Sequence, residues 1–268
     1  MKEQGKIQNI KTHGVYHDDG ENRKRILFDE IGVPADQKAD YVLLSGCHQP
    51  EGMPQVFRAL KGFLEHFGVK YTFLSKEFCC GWLPLLQPAV IAKDKEKLGE
   101  LRGIAQGFME NNIRQAEKLG AKAVVTVCSA CEPNYSELKD TTKLEILHYP
   151  QFLTHFFEGG KLELEADYYL GCYRFRRMIT SKTLDVESMD ALLAKIDELK
   201  LNRIDSQWCC FVPKHMEEIL DSIKNDLIIT TCSGCMANLE RMTKERENFK
   251  VKLLPEIVWE ALKDQIVQ

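Results

Sequence analysis

Hydrophobic and polar residues follow one another along this chain in an order that predicts short strands, each leading to an amphipathic helix. Tyr41–Cys47 and Asp167–Cys172 each read as a strand that runs into a Gly-Cys turn. A helix is predicted after each of them, at Val56–Phe67 behind Pro54 and at Val186–Leu199. The same order of elements therefore occurs twice in the chain.

The downstream parts of the two copies also match. The segments KAVVTVCSAC and DLIITTCSGC are each a β-branched strand that ends in Cys-x-x-Cys. Each copy closes with a short strand, at Leu144–Leu147 or Val251–Leu254, and a helix that opens near Pro150 or Pro255. Strands that alternate with helices predict an α/β fold with mainly parallel strands, built as two pseudo-repeated domains.

The repeat divides the chain into a first domain at 41–166, a shorter second domain at 167–268 and a polar N-terminal extension at 1–40. The additional length of the first domain is predicted to be helical at Ala92–Leu119. In the extension, the run RKRILF at 23–28 allows a docking helix. A solvated extension is the favoured interpretation, because the segment is largely polar.

Composition limits the possible partners of this protein. Hydrophobic residues make up 44% and charged residues 28%, as in ordinary soluble globular proteins. The net charge of −4 does not favour a nucleic-acid partner. No apolar run approaches the roughly 20 residues that cross a bilayer, and the polar N-terminus lacks the apolar core of a secretory signal. We therefore expect a cytoplasmic protein without a membrane span.

The ten cysteines form two matching sets of five, with none left over. Each set has one cysteine after the first strand, an adjacent pair, and a Cys-x-x-Cys. Ligand sites in open parallel sheets collect at the carboxyl ends of the strands, so we predict one site at that edge of each domain. The first set is Cys47, Cys79, Cys80, Cys128 and Cys131, and the second is Cys172, Cys209, Cys210, Cys232 and Cys235.

The number of cysteines in each set favours an iron–sulfur cluster. Disulfide frameworks belong mainly to small secreted domains, which this chain is not. Structural zinc and a regular four-iron cubane each take four thiolates, and five overfill either site. Adjacent cysteine side chains diverge, which suits a larger cluster that presents several irons. A scaffold stabilised by structural zinc, without redox chemistry, remains the alternative, above all for the second domain.

The doubled pattern Cys…Cys-Cys-Gly…Cys-x-x-Cys resembles cysteine-rich CCG domains, and the chain from about residue 41 to 268 resembles the B-type subunit of heterodisulfide reductase. This resemblance implies two non-cubane four-iron clusters, each held by five cysteines, that face each other across the site of disulfide reduction. Each cluster would deliver one of the two electrons. The resemblance also implies a small thiol or disulfide substrate, a ferredoxin-like partner (the C-type subunit), a flavin partner (the A-type subunit), and an anaerobic organism.

The second motif departs from the CCG pattern. The first reads Cys79-Cys80-Gly81, whereas the second reads Cys209-Cys210-Phe211. Glycine permits a positive φ or a close backbone approach to a cluster, and phenylalanine permits neither cheaply. A variant cluster, a simpler one or zinc is therefore the alternative at the second site. The departure also keeps two other functions open: an electron-relay subunit without disulfide chemistry, and a zinc-stabilised assembly module.

Polar residues beside the first cysteine of each set are candidates for roles in catalysis. His48 and Tyr173 directly follow these cysteines and are predicted to donate a proton to a nascent thiolate. A hydrogen bond to a cluster sulfur is the equal alternative. Arg174, Arg176 and Arg177 directly follow Cys172 and are candidates to bind the anionic tail of a thiol substrate. Compensation of the cluster charge, or simple solvation, is the slightly favoured interpretation.

Overall fold

The computed structural model describes residues 2–171, 179–204 and 210–266 of the chain. The described residues form two compact units. The first unit comprises residues 1–57 and 68–148, and the second comprises 58–67 and 149–268. The division into an extension and two domains at 1–40, 41–166 and 167–268 was drawn from motif positions and stays a prediction.

A four-stranded, all-parallel sheet forms the centre of the first unit. Its strands are apolar runs buried on both faces, as expected for a parallel sheet covered by helices. In space they lie in the order β2-β1-β3-β4, and Leu43 in the central strand is opposite both Phe73 and Val125. The strands are β1 (Tyr41–Leu44), β2 (Tyr71–Phe73), β3 (Ala123–Thr126) and β4 (Glu145–His148).

The second unit repeats this sheet. Its strands are β5 (Gly160–Tyr169), β6 (Ile196–Arg203), β7 (Leu227–Thr230) and β8 (Lys250–Leu253). They are again all parallel, in the order β6-β5-β7-β8. Each strand of the first unit thus has a counterpart at the same place in the second. The predicted α/β fold with two repeated halves is confirmed.

Helices connect the parallel strands and cover the sheets. Among the residues that the structure describes, no helix combines the length and the apolar character needed to cross a membrane. Two π-helical segments, Arg25–Ile31 and Trp82–Leu86, continue into or out of short α-helices. The α-helices are α1 (Glu3–His13), α2 (Glu21–Lys24), α3 (Gln49–Gly52), α4 (Pro54–His66), α5 (Gln87–Ala92), α6 (Lys95–Lys118), α7 (Glu132–Ser136), α8 (Tyr149–Thr154), α9 (Glu187–Ala194), α10 (Pro213–Asp221), α11 (Ser233–Thr243) and α12 (Leu254–Ile266).

The predicted helix at Val186–Leu199 is wrong in its last turn. Helix α9 ends at Ala194, and the chain continues as strand β6. In this strand Leu199 lies opposite Leu164 of β5, and Leu201 lies opposite Ala166. The apolar residues at 199 and 201 have the two-residue period of a strand, so pairing with β5 outweighs the helical period read across the boundary.

The expectation of a solvated N-terminal extension is also wrong. Ile10 and Val15 are completely buried, and Arg23 and Leu27 are each 1% exposed. The carbonyl of Gly14 accepts a hydrogen bond from the backbone N–H of Cys79 at 2.7 Å. Residues of this segment therefore form part of the core of the first unit.

Helix α4 makes a close contact that offers a test of the packing in the second unit. A Cβ atom on Gly62 would lie 2.5 Å from ring atoms of Trp259, so Gly62→Ala must displace a rigid ring. We expect it to lower the thermal midpoint, because overpacking typically costs about 1–3 kcal/mol. The matched control is Gly103→Ala in α6, where a Cβ meets nothing within 4 Å. The control should gain up to about 1 kcal/mol from helix propensity. Equal shifts of the two midpoints in thermal melts would contradict this packing.

Candidate metal centre

The five cysteines of the first set lie together at one edge of the first sheet. Cys47 follows β1, the Cys79–Cys80 pair follows β2, and the Cys128–Cys131 segment follows β3. These three strands are neighbours in the order β2-β1-β3 and run in the same direction. Their carboxyl ends therefore meet at one edge, where open α/β sheets place their ligands.

The thiol groups of the first set form one connected group. The Sγ atoms of Cys79 and Cys47 are 3.4 Å apart. Cys80 forms hydrogen bonds with Cys79 and Cys131, and Cys131 forms one with Cys128. Four of these cysteines are buried and Cys128 is half-buried. None of the eight cysteines that the structure describes is in a disulfide.

Contacts among these thiols shift their pKa values in opposite directions. Hydrogen bonds to Cys47 and Cys80, and then burial, raise the pKa of Cys79 well above its usual range. Cys128 and Cys80 do the same to the pKa of Cys131. Hydrogen bonds from Cys131 and Cys79 lower the pKa of Cys80. Buried thiols in mutual contact resist ionising together, and bound metal ions supply the positive charge that would allow it.

A glycine lets the backbone after β1 approach the Cys128–Cys131 segment closely. Gly46 has a φ of +80°, and a Cβ at this position would lie 2.9 Å from Cβ of Cys128. The same Cβ would lie 3.5 Å from the sulfur of Cys128 and 4.0 Å from that of Cys131. Sulfur-only ligand sets suit iron–sulfur clusters or zinc, and five thiolates exceed the four that zinc takes. The residues of the first set thus fit an iron–sulfur cluster.

A buried carboxylate fixes the turn that carries Cys47. Glu77 is 3% exposed and accepts hydrogen bonds from the backbone N–H of Ser45 at 2.7 Å and of Gly46 at 2.8 Å. It also accepts one from the Ser45 hydroxyl at 2.8 Å. A guanidinium nitrogen of Arg23 lies 3.7 Å from the same carboxylate. Nothing in the local sequence pattern separates these two charged residues from surface charges.

Helix α6, the additional length of the first half, holds the segment before the cysteine pair. The side-chain amide of Asn112 accepts a hydrogen bond from the Phe78 N–H at 2.8 Å and donates one to the Phe78 carbonyl at 2.7 Å. It also donates to the hydroxyl of Tyr135 at 2.7 Å. Asn112 is completely buried. The inserted helix therefore positions the loop that presents Cys79 and Cys80.

The same helix explains why glycine follows the first cysteine pair. Gly81 has a φ of +78°, and a Cβ there would lie 2.9 Å from Cβ of Ala105 in α6. The positive φ expected of this glycine is confirmed, and its close approach is to helix α6. The corresponding segment of the second half contains only the short helix α10. Phe211 has a negative φ and is 62% exposed. The variant cluster, simpler cluster or zinc expected at the second site stays a prediction.

The structure describes three cysteines of the second set. The Sγ atoms of Cys210 and Cys235 are 3.5 Å apart, and Cys232 is half-buried. The amide of Asn238 donates a hydrogen bond to the Cys210 carbonyl at 2.6 Å, which ties the pair segment to the helix after the Cys-x-x-Cys. The roles predicted for six further residues lie outside the described residues and stay predictions: Cys172, Tyr173, Arg174, Arg176, Arg177 and Cys209.

His48 lies at the first site and contacts Tyr16, a residue that sequence reasoning missed. Its Nε2 is 2.5 Å from the hydroxyl of Tyr16, and its ring stacks on His17 with centroids 4.1 Å apart. Partial burial, and then His17, lower the pKa of His48. Burial, followed by the charges of Cys47 and Cys79, raises the pKa of Tyr16 to about 12. Tyr16 is therefore hydrogen-bonded to His48 and close enough to the thiols for their charges to affect its pKa.

A half-buried group of polar contacts secures the loop that carries Tyr16. The Nε2 atom of His17 lies 3.3 Å from a carboxylate oxygen of Asp18 and 3.4 Å from one of Glu51 in α3. The carboxylates also accept hydrogen bonds, Asp18 from the Gly20 N–H and Glu51 from the Asn22 amide. These contacts attach the loop after α1 to helix α3.

The different surroundings of Gly81 and Phe211 give a testable asymmetry. We expect Gly81→Ala to destabilise the protein by about 2 kcal/mol, because it adds a side chain at positive φ and a clash with Ala105. The control Phe211→Gly should change the free energy of unfolding by less than about 1 kcal/mol, since the ring is largely exposed. Both values would come from anaerobic denaturant titrations. A loss at residue 211 equal to that at residue 81 would contradict the role given to helix α6.

Known proteins resemble parts of this chain. Residues 41–134 match the CCG family model, described as a cysteine-rich domain. Two relatives are the D subunits of dihydromethanophenazine:CoB–CoM heterodisulfide reductase from Methanosarcina barkeri and Methanosarcina mazei. Each is 24% identical to this chain over 163 residues, which is 58% of the chain but only 38% of the relative. The chain is thus similar to well under half of these proteins, and the likeness to the B-type subunit stays a prediction.

Proposed function

We propose that this chain is an iron–sulfur subunit of an oxidoreductase complex that reduces a disulfide to two thiols or catalyses the reverse reaction. The observation that carries this proposal is the connected group of five cysteines at one edge of the first sheet. The match of residues 41–134 to a cysteine-rich domain supports it. So do the relatives, whose names describe a heterodisulfide reductase subunit.

The first set of cysteines would hold a four-iron cluster of the non-cubane type. Five thiolates are one more than a regular cubane or a structural zinc takes, which supports an unusual cluster. The second set would hold a second cluster, with a variant cluster or zinc as the alternative. When bound, such clusters supply electrons one at a time, so a pair of them matches the two-electron demand of a disulfide.

The protein residues would supply binding and protons. Reduction of a disulfide consumes two electrons and two protons and releases two thiols. At the first site the hydrogen-bonded pair of Tyr16 and His48 would hold a proton near the sulfurs. Arg174, Arg176 and Arg177 would bind the anionic part of the substrate through charge-assisted hydrogen bonds. Electrons would come from a ferredoxin-like partner, with a flavin-containing partner in the same complex.

A second candidate function is electron relay without disulfide chemistry. The observation that favours it is the extent of the family match, which ends at residue 134 and covers cysteines of the first set alone. One cluster would be enough to pass electrons onward, whereas the proposed reduction uses two. A zinc-stabilised assembly module is the third alternative, and metal analysis separates it from the other two.

Metal content tests the cofactor directly. Protein purified without oxygen should be brown and contain iron and acid-labile sulfide, both of which exposure to air should destroy. Cys80→Ala and Cys128→Ala should each remove the cluster of the first unit, because a lost thiolate leaves an iron without its ligand. Ser129→Ala, between two ligands, is the matched control and should retain iron. Colourless protein that contains only zinc would exclude both iron–sulfur functions.

Electron paramagnetic resonance separates disulfide chemistry from relay. If a thiol product binds at the cluster, thiols should alter the spectrum of the oxidised protein, and cysteine variants in either half should lose turnover. Arg174→Ala and Arg176→Ala should each weaken binding of an anionic disulfide by about 1–3 kcal/mol, the range for a charge-assisted hydrogen bond. A spectrum unchanged by a panel of thiols, with electron transfer from the partner intact, would favour the relay.

A further inference from the structure

The N-terminal segment contributes a buried positive charge to the first cysteine site. We propose that Arg23 and Glu77 form a charge pair that positions the turn carrying Cys47 and sets the reduction potential of the cluster in the first unit. This inference rests on the proposed function in one respect, since it requires a cluster bound by the first set. It assigns a role to a segment that precedes the repeated cysteine pattern.

Arg23 is buried in the protein interior, where an unpaired charge would be strongly unfavourable. The residue is 1% exposed, and its guanidinium lies 3.7 Å from the carboxylate of Glu77. The same guanidinium donates hydrogen bonds to the backbone carbonyls of Glu77 at 3.5 Å and of Ser75 at 3.4 Å. Burying a charge is unfavourable unless an opposite charge and hydrogen bonds compensate it. The two residues therefore depend on each other.

Glu77 connects this pair to the cysteines. Its carboxylate accepts three hydrogen bonds from Ser45 and Gly46, the two residues before Cys47. Its own position in the chain is two residues before Cys79. One carboxylate thus joins the segment after β1 to the segment after β2, and each of these segments carries ligands.

A second contact from the N-terminal segment secures the other side of Glu77. The carbonyl of Gly14 accepts the hydrogen bond of the Cys79 N–H. Gly14 has a φ of +83°, and a Cβ there would lie 2.3 Å from the backbone oxygen of Glu77. Only glycine fits this approach. Both Gly14 and Arg23 therefore pack against Glu77, the residue that holds the turn of Cys47.

The charges of the pair should act on a cluster because the site is buried. Reduction adds negative charge, so a nearby cation favours it and a nearby anion opposes it. Charge, hydrogen bonding and burial are among the factors that set the potentials of iron–sulfur clusters. Arg23, Glu77 and Ser45 are all buried, so screening of the pair by solvent and salt is weak. Loss of Arg23 should therefore lower the potential, and loss of the Glu77 charge should raise it.

The test compares Arg23→Met, Glu77→Gln and the double variant as anaerobic holoproteins. Iron per chain is measured first, and the midpoint potential of the loaded fraction is then followed by paramagnetic resonance. We expect a more negative midpoint for R23M, a more positive one for E77Q, and a value near that of the parent protein for the double variant. The matched controls are Arg25→Met and Glu30→Gln, an exposed ion pair close in sequence, which should leave the midpoint unchanged.

Arg23→Lys keeps the test decisive if R23M fails to retain iron. Retention of iron in R23K but not in R23M would support the role of the charge, whereas equal loss in both would overturn it. Unchanged midpoints in fully loaded R23M and E77Q would also overturn it and leave the pair a structural contact. Absence of iron and sulfide from the parent protein would instead reject the proposed function. This measurement is made on the parent protein first, so the two failures are distinguishable.

Discussion

The parallel pairing of three strands is the constraint on which the candidate site depends. Cys47 and Cys131 are far apart in the chain, and pairing of β1 with both β2 and β3 brings their segments to one edge. A slip of one residue would move the end of a strand, and with it the start of the loop that carries the cysteine, by about 3.3 Å. That shift is nearly the full 3.4 Å between the sulfurs of Cys47 and Cys79. The sulfurs can therefore be close to one another only if the strands pair in this register.

Beyond the strand ends the sheet no longer supplies hydrogen-bond partners to the backbone, and other buried polar groups supply them instead. Buried backbone N–H groups need acceptors. Glu77 provides them for Ser45 and Gly46, and Asn112 provides one for Phe78. Gly14 serves the N–H of Cys79 in the same way. The loops that carry the cysteines are thus held by polar groups from three separate parts of the chain.

The two halves share a sheet but differ in what surrounds it. The first half has helix α6, and the N-terminal segment packs within the same unit. The described part of the second half has the short helix α10 between its cysteine pair and the following strand. The close approach of helix α6 explains Gly81 in the first half. An unequal pair of sites is consistent with disulfide reduction and with electron relay, so the surroundings of the cysteines do not decide between them.

The sequence by itself determined the features that depend on neighbouring residues. The repeat, the strands at both Cys-x-x-Cys motifs, helix α4 and the two sets of cysteines follow from local periodicity and spacing. Strand β6 was missed because its apolar residues continue a helical pattern, and only pairing with β5 decides its conformation. The roles of Arg23, Glu77 and Asn112 were also invisible. Each depends on a partner 34 or 54 residues away in the chain, which only the folded structure brings within hydrogen-bond distance.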